Sequence, residues 1–434
     1  MTLVDEVYPP RPFRLNVGGA NALEMLADQL VAETLVASDD FIARGRLVDK
    51  AQWKAVKHRN NMAAYRARKR SSSIFRRDRI ASDMTEAVAA SPQLPKFLTT
   101  NDRNAMAGFP SMTFLDDDGS DDELLDEASY VSSSQQNELE KAIPSGVPMV
   151  FCTGIVPGTI EDAALGFFAD TEARSRVRNS STKEVVVDDV RILARIHGPT
   201  EDDPFRFLGI KWCAHSTAGA AGHFIKSRDY LVIESTGIAL DARGNRFCYM
   251  LNHSIEQQEV PDFKKFGHVR MTFSACHIMR PCDTAGQIEI FSRGFMDTNG
   301  IIAERMCTYM YCDGLMSVPL TVEDAYAKKL TWLLHAQQNN DSGRLCPPLD
   351  ISDSCRCCKN KLLTGFAKLL ESNAMCYLCR HSICRKCTVK KEVSLDVSGP
   401  GQLAKRTMDF CVSCYLEGKN LSAWQVGIAL LSAS

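Results

Sequence analysis

The sequence predicts an α+β protein in which a curved antiparallel sheet wraps on a helix, followed by a small metal-binding module. Three observations support this prediction. Six short runs rich in β-branched and aromatic residues follow one another between residues 184 and 295. A helix with one apolar face begins near Thr321. Four Cys-x-x-Cys pairs then lie between Cys355 and Cys414.

Composition sets the size of the core and the expected compartment. With 434 residues, of which 45% are hydrophobic, the chain can form one sizeable core and a small extra module. It shows neither an N-terminal secretion signal nor an apolar run of about 18 residues, so we expect an intracellular protein without a membrane span. The net charge of −2 conceals local blocks. Residues 44–79 hold thirteen Lys and Arg against two acids, and eight of residues 116–127 are acidic.

The N-terminal part has two predicted segments. Asn21 and Glu24 resemble a capping box that opens a short helix, and the basic segment follows it, so residues 1–70 form the first unit. Residues 71–144 have weak periodicity, the acidic run and a serine cluster. Because this composition buries little apolar surface, we predict a mostly disordered insertion or linker there.

Regular structure returns in residues 145–340, the predicted main domain. Residues 157–169 suit a helix. Turn residues then separate six predicted strands, at residues 184–196, 205–212, 229–240, 246–255, 269–279 and 287–295. The closing helix has Val322, Tyr326, Leu330 and Leu333 on one face. Helix, consecutive antiparallel strands and a long final helix together indicate the α+β class.

This main domain resembles a START domain, the helix-grip lipid-binding fold. Lys226-Ser227-Arg228-Asp229-Tyr230 matches the family's basic-x-Arg-Asp-aromatic stretch, and Met279-Arg280-Pro281 matches a strand end. The resemblance implies a hydrophobic cavity between sheet and terminal helix that holds one lipid or sterol-like molecule. In that cavity Arg228 and Asp229 orient a head group, or else the pair fixes a strand end. The resemblance also makes residues 53–65 early elements of the domain.

The cysteine pairs predict two structural zinc ions. A Cys-x-x-Cys turn aims two thiolates at one tetrahedral Zn²⁺, and a closed site needs four ligands, so eight thiolates complete two sites. Cys357 breaks the spacing and is not expected to bind metal. The other eight cysteines are scattered, and we interpret them as reduced residues of an intracellular core.

Residues 350–418 resemble a FYVE-type finger, because Cys376-x2-Cys379-x4-Cys384-x2-Cys387 is that family's central run. RING and PHD fingers place a histidine among these ligands. The resemblance implies a cross-brace in which alternate pairs share a metal ion. The first zinc is then held by Cys355, Cys358, Cys384 and Cys387, and the second by Cys376, Cys379, Cys411 and Cys414.

The finger departs from FYVE fingers that bind phosphatidylinositol 3-phosphate. Those carry a basic stretch with two histidines, whereas residues 371–375 hold no basic residue. Cys346 and Leu349 replace the Trp-x-x-Asp lead-in, and Asp409 replaces an arginine. Residues 355–391 nevertheless hold nine Lys and Arg against Glu371. We therefore predict charge-driven attraction to anionic lipids, through a basic cluster formed by Arg380, His381, Arg385, Lys386, Lys390 and Lys391.

A rival interpretation concerns residues 60–70, which resemble a bZIP basic region with Asn60, Ala63, Ala64 and Arg68 at matching positions. A bZIP protein needs a leucine heptad directly downstream, and none follows here. Nucleic-acid binding is therefore the weaker hypothesis.

The predicted function is non-enzymatic lipid binding or lipid sensing, with the finger attaching to a membrane or a protein partner. No nucleophile–base arrangement stands out, and the isolated histidines are His215, His223, His253 and His277. The alternatives are an interaction scaffold without lipid binding and, less favoured, a RING-like ubiquitin ligase. We expect a cytoplasmic protein, peripheral on intracellular membranes such as endosomes, with the nucleus as an open alternative. The role of the apolar tail, residues 419–434, does not follow from the sequence, and packing on the finger is one option for it.

Overall fold

The computed structural model describes residues 8–59, 61–68, 137–180, 185–217, 225–300, 302–341, 353–362, 374–399 and 402–432. The helices in these ranges are α1 (Val17–Ala43), α2 (Glu138–Lys141), α3 (Ile160–Phe167), α4 (Glu172–Asn179), α5 (Glu304–Leu315), α6 (Val318–Asp341), α7 (Val412–Asn420) and α8 (Ala423–Ser432). The strands are β1 (Trp53–Arg59), β2 (Met62–Ala67), β3 (Val150–Pro157), β4 (Val185–His197), β5 (Phe207–Thr217), β6 (Arg228–Leu240), β7 (Arg246–Ser254), β8 (Val269–Arg270), β9 (Thr272–Pro281), β10 (Gln287–Asp297), β11 (Ala374–Met375), β12 (Ser382–Ile383), β13 (Thr388–Gly399) and β14 (Gln402–Cys411).

One large sheet organises the main domain. Its strand order is β1-β2-β3-β10-β9-β7-β6-β5-β4, and β8 adds a short parallel pairing to β6. All other neighbours are antiparallel. The basic N-terminal segment is therefore the first hairpin of this sheet. The bZIP interpretation is wrong for residues 62–67, because they pair with β3 as a strand and do not form a continuous helix; Asn60 and residues 69–70 lie outside the described ranges.

The two faces of the sheet pack on different helices, as the period of two in a strand requires. On β7, Phe247, Tyr249 and Leu251 pack with the buried side of α1. The intervening Cys248 and Met250 belong to the inner-face core, together with residues of α3, α5 and α6. The sheet thus lies between α1 outside and the C-terminal helices inside. The predicted α+β, helix-grip architecture is confirmed.

Helix α6 is held against α3 by a very close backbone approach. A Cβ atom on Gly166 would lie 2.0 Å from the carbonyl oxygen of Thr321. The buried Lys329 ammonium donates to Asp162 Oδ1 at 2.5 Å, which pairs the two helices through a charge-assisted hydrogen bond. Only glycine at position 166 allows this distance between the helices.

Several predicted boundaries need correction. Helix α1 begins at Val17, not at an Asn21 capping box, because the Asn16 side chain accepts from Gly19 N at 2.7 Å and caps the first turn. The sequence also did not predict β3, α4 or α5. The predicted disorder of residues 71–144 falls mainly on residues outside the described ranges, while residues 138–141 form α2.

The finger and the tail are docked on the main domain. Gly418 of α7 packs against Leu330 of α6, so a Cβ there would lie 2.8 Å from Leu330 Cδ2. Ala423 and Val426 of α8 belong to the inner-face core, and Trp424 contacts Phe205 with ring centroids 5.6 Å apart. The tail, whose place the sequence left open, packs with its apolar side on α3 and α6 of the main domain. None of the described helices is long and apolar enough to span a bilayer.

Candidate functional site

Eight cysteines converge in two groups of four. One group contains Cys355, Cys358, Cys384 and Cys387, and the other contains Cys376, Cys379, Cys411 and Cys414. Within each group the sulfur atoms lie within 4.8 Å of one another. This is the same partition of alternate pairs that the cross-brace implied.

The distances fit a tetrahedral metal ion. A Zn–S bond of about 2.3 Å places two ligands about 3.8 Å apart in a tetrahedron. The Sγ atoms of Cys358 and Cys384 are 3.7 Å apart, and those of Cys379 and Cys411 are 3.9 Å apart, both far beyond disulfide length. The donor sets therefore suit a thiophilic divalent ion. Cys357 lies outside both groups, with its Sγ 3.6 Å from Ser413 Oγ.

The side chains on the inner face of the sheet are less buried at one end of the strands than at the other. At one end Ile238, Met279 and Ile288 are fully packed in the core. At the other end the inner-face side chains are only half-buried, and they are Tyr230, Asn252, Phe273 and Met296. The Tyr230 and Phe273 rings contact each other edge-on, with centroids 5.3 Å apart. This end of the sheet is thus aromatic and only half-buried.

The structure separates the two residues of the predicted Arg-Asp pair. Asp229 faces outward, where its Oδ2 accepts from Trp212 Nε1 at 2.8 Å and from Arg270 Nη2 at 2.7 Å. Arg228 lies on the inner face, as Tyr230 does, since positions two apart share a face. It is 8% exposed, and among the described residues its Nε has no hydrogen-bond partner. Its Nη1 donates to the Lys226 carbonyl at 2.6 Å. Burial lowers the pKa of Arg228.

A buried ion cluster stabilises the inner face beside α4. Glu234 accepts from Arg178 at 2.6 and 2.9 Å and from Lys211 at 2.6 Å. Burial disfavours the charged form of Glu234, but the two cations outweigh it and lower its pKa to about 2. Because all three charges are paired, this cluster fixes α4 on the sheet. Arg228 is a cation of the inner face that lies outside this cluster.

The isolated histidines are built into the packing. His277 lies 2.8 Å from Ser292 Oγ and stacks on Phe167, and His253 lies 3.0 Å from Ser274 Oγ. Burial lowers the pKa values of His215, His253 and His277 to about 4 in each case. His223 lies outside the described residues.

The basic cluster of the finger has only part of its charge at the surface. Arg385, Lys386 and Lys390 are exposed, whereas Arg380, His381 and Lys391 are half-buried. Lys391 forms an ion pair with Glu323 of α6, and Lys390 Nζ lies 3.6 Å from Asp409. His381 Nδ1 lies 2.6 Å from the Cys379 carbonyl. The exposed charge is therefore concentrated at the turn between Cys384 and Cys387.

Comparisons with solved structures find distant similarity at low sequence identity. The match to human STARD10 covers 71% of this chain and 89% of that chain, at 9% sequence identity and with a TM-score of 0.36. Human StAR-related lipid transfer protein 5 is 12% identical, over 68% of this chain and 96% of that chain, with a TM-score of 0.33. The lipid transfer and protein localization domain of human StarD13 is 10% identical, over 67% of this chain and 95% of that chain, with a TM-score of 0.33.

No family model matches the chain, and no curated protein matches it.

Proposed function

We propose that this chain is a non-enzymatic lipid-binding protein. One amphiphilic ligand lies on the inner face of the sheet, with its apolar body against Tyr230, Phe273 and Met296. Its polar or anionic head lies beside Arg228. The ligand is a lipid or a sterol-like molecule, which the helix-grip fold shields from water between the sheet and the C-terminal helices.

The observation that carries the proposal is the Arg228 guanidinium at the half-buried end of the sheet, where its Nε has no hydrogen-bond partner in the described part of the chain. A buried cation is costly unless hydrogen bonds and an opposite charge compensate it. Arg178 and Lys211 have Glu234 as that partner, whereas the described residues offer Arg228 a main-chain carbonyl and leave its Nε without an acceptor. A ligand head group supplies the missing acceptor, and the half-buried aromatic rings supply its apolar contact.

For the finger we propose a divergent FYVE-type module with one zinc ion in each cysteine tetrad. Four thiolates without histidine are a closed structural donor set, so each ion contributes to folding and not to catalysis. The exposed Arg385 and Lys386 attract anionic lipids, which makes the protein peripheral on cytoplasmic membrane surfaces such as endosomes. We propose no phosphoinositide selectivity, since it needs several hydrogen-bond donors fixed around one phosphate in addition to positive charge.

The lipid proposal is tested by filling the space that the ligand takes. Asn252→Phe places a ring at the half-buried end of the inner face, and Val186→Phe places the same ring at a position on β4 that is 47% exposed. Each purified variant is incubated with a mixture of phospholipids, fatty acids and sterols, purified again and extracted for lipid analysis.

We expect one bound lipid per chain in the wild type and in Val186→Phe, and loss of that lipid in Asn252→Phe at an unchanged melting temperature. Arg228→Gln should change which lipid classes are retained, because it removes the charge and keeps a donor. Equal lipid content in all variants, or none in the wild type, would favour an interaction scaffold without a ligand.

A further inference from the structure

Helix α6 takes part in two hydrophobic cores. Val322, Ala325 and Tyr326 pack into the inner-face core of the main domain. One turn further on, Leu330 is fully buried in a second core, which belongs to the finger. Cys411, a member of the second cysteine group, lies in that same finger core. The helix that covers the inner face of the sheet therefore also forms a wall of the finger.

The short helix α7 links the second cysteine group to α6. Cys411 caps its first turn, where the Sγ atom accepts from Cys414 N at 3.3 Å. Gly418 follows one turn later and packs against α6. At the end of the helix the Lys419 carbonyl accepts from Lys329 Nζ at 3.0 Å. Since α7 has only nine residues, the cysteine group and the contact with α6 belong to one short element.

One buried ammonium connects α7, α6 and α3. Lys329 Nζ donates to the Lys419 carbonyl of α7 and, at 2.5 Å, to Asp162 Oδ1 of α3. The Lys329 side chain is 2% exposed, so water does not replace a lost acceptor without a movement of the helices. A buried donor that loses its acceptor is destabilised. Loss of α7 would therefore weaken the packing of α6 on α3.

The tail extends the same connection. Helix α8 begins three residues after the end of α7 and places Ala423 and Val426 in the inner-face core. A Cβ atom on Gly427 would lie 2.8 Å from Phe205 Cε1, so α8 is packed tightly on the main domain. A helix of about ten residues is not stable by itself in water. The position of α8 therefore depends on this packing and on α7, which precedes it.

The β13–β14 hairpin provides a second connection between the finger and the main domain. Lys391 of β13 forms an ion pair with Glu323 of α6. Lys405 Nζ of β14 donates to the Ser180 carbonyl, directly after α4, at 2.8 Å. Strand β13 begins directly after Cys387, a member of the first cysteine group. Each cysteine group is thus followed in the chain by an element that contacts α6.

The finger core is too small to fold without metal ions. Among the described residues, ten buried ones make up this core; three of them are cysteines of the two groups, and one is Leu330 of α6. So few apolar side chains contribute little free energy of folding, and metal binding supplies it in modules of this kind. Without the ions α7 and the hairpin would lose their structure, and both connections to α6 would be lost with them.

We propose that the finger and the tail form a metal-dependent clamp on the main domain. With both cysteine groups loaded, the clamp holds α6 and α8 on the inner face of the sheet. When the metal ions are removed, α6 and α8 separate from the sheet more often and the inner face opens. The behaviour of α6 and α8 follows from the contacts above, whereas the effect on lipid release rests on the proposed function.

Hydrogen–deuterium exchange of the full chain, measured by mass spectrometry, tests the clamp. The zinc-loaded protein is compared with protein treated with the chelator TPEN, and with chelated protein to which zinc is returned. Metal removal should make the amides of residues 322–336 and 423–431 exchange at least about tenfold faster, and returned zinc should reverse this. Residues 208–214 of β5 should exchange as before. Faster exchange that is confined to the finger would overturn the clamp.

Gly418→Val tests the connection without removing a metal ligand. A side chain at this position meets Leu330, whereas Leu416→Val places the same residue on α7 at a position that is 47% exposed. Both variants should keep two zinc ions by elemental analysis. Residues 423–431 should exchange faster in Gly418→Val alone, with the ions still bound. Wild-type exchange of α8 in zinc-loaded Gly418→Val would contradict the role of α7.

Release of NBD-labelled cholesterol separates the clamp from the proposed function. The dissociation of this probe into an excess of phosphatidylcholine vesicles should be at least about tenfold faster after chelation. An unchanged rate, together with faster exchange in α6, would refute the effect on lipid release. If the probe does not bind while the exchange response is intact, the result would count against the proposed function and support the clamp.

Discussion

The substitution Gly166→Ala tests the packing of α3 on α6. A Cβ at this position would lie 2.0 Å from the Thr321 carbonyl oxygen and 2.8 Å from its carbonyl carbon. These are main-chain atoms, so the clash is relieved only if α6 moves away from α3. That movement would also strain the hydrogen bond between Lys329 and Asp162, which joins the same two helices.

Two opposing effects set the magnitude. Replacing a helical glycine by alanine stabilises by about 0.5–1 kcal/mol through backbone entropy. Overpacking of a close contact costs about 1–3 kcal/mol and sometimes more, and an overlap with a carbonyl group belongs at the upper end. We therefore expect a net loss of about 2 kcal/mol, which lowers the melting temperature by about 4–8 °C in a domain of this size.

The assay is thermal and denaturant unfolding of the full chain, followed by far-ultraviolet circular dichroism. Gly314→Ala is the matched control, since Gly314 also lies in a helix but has nothing within 4 Å of the added Cβ. It should be neutral or stabilise by up to about 1 kcal/mol. If Gly166→Ala melts at or above the wild-type temperature, the close approach of the two helices is not the constraint described here.

Three other predictions concern the finger and the histidines. Cys384→Ser should unfold the finger, because three ligands do not close a zinc site, whereas Cys357→Ser should keep two zinc ions by elemental analysis. The contribution of the buried His253 and His277 to the free energy of unfolding should be complete above about pH 6.5 and should be lost as the pH falls toward 4, because the unfolded chain binds protons at a higher pH than these two side chains do in the folded state. At pH 5 each histidine should lower the free energy of unfolding by about 1–2 kcal/mol. His277→Asn should remove its share of the pH dependence of the melting temperature. Liposome sedimentation should show equal binding to phosphatidylserine and to phosphatidylinositol 3-phosphate vesicles of matched charge, which decreases as salt shortens the screening length below about 8 Å; salt-resistant preference for the 3-phosphate would contradict it.

Much of the sheet was predictable because its strands have buried β-branched and aromatic residues at regular spacing. Strands β4 to β7, β9 and β10 lie within a few residues of the predicted runs. Helix α5 was not predicted, because Met306, Tyr309 and Met310 are exposed and obscure its amphipathic pattern. The first hairpin was interpreted as a basic segment, since Lys54, Lys57, Arg59 and Arg66 interrupt its short apolar stretches.

The two cysteine groups that could hold metal ions were identifiable from the sequence, because Cys-x-x-Cys spacing is a local property. The position of Arg228 could not be settled in the same way. Neighbouring residues in a strand face opposite sides, and the motif alone does not say which of Arg228 and Asp229 faces inward. The space between α4, α6 and the finger hairpin depends on contacts between segments that are distant in sequence, so no local pattern indicates it.

The central claim is that the main domain holds one lipid and the finger holds two zinc ions. Native mass spectrometry of the freshly purified full chain tests both parts in one spectrum. We expect a mass equal to the chain, two zinc ions and one lipid-sized molecule, and collisional activation should release the lipid before the metal. A species with two zinc ions and no additional mass, before and after incubation with lipid mixtures, would contradict the claim of a lipid-binding domain.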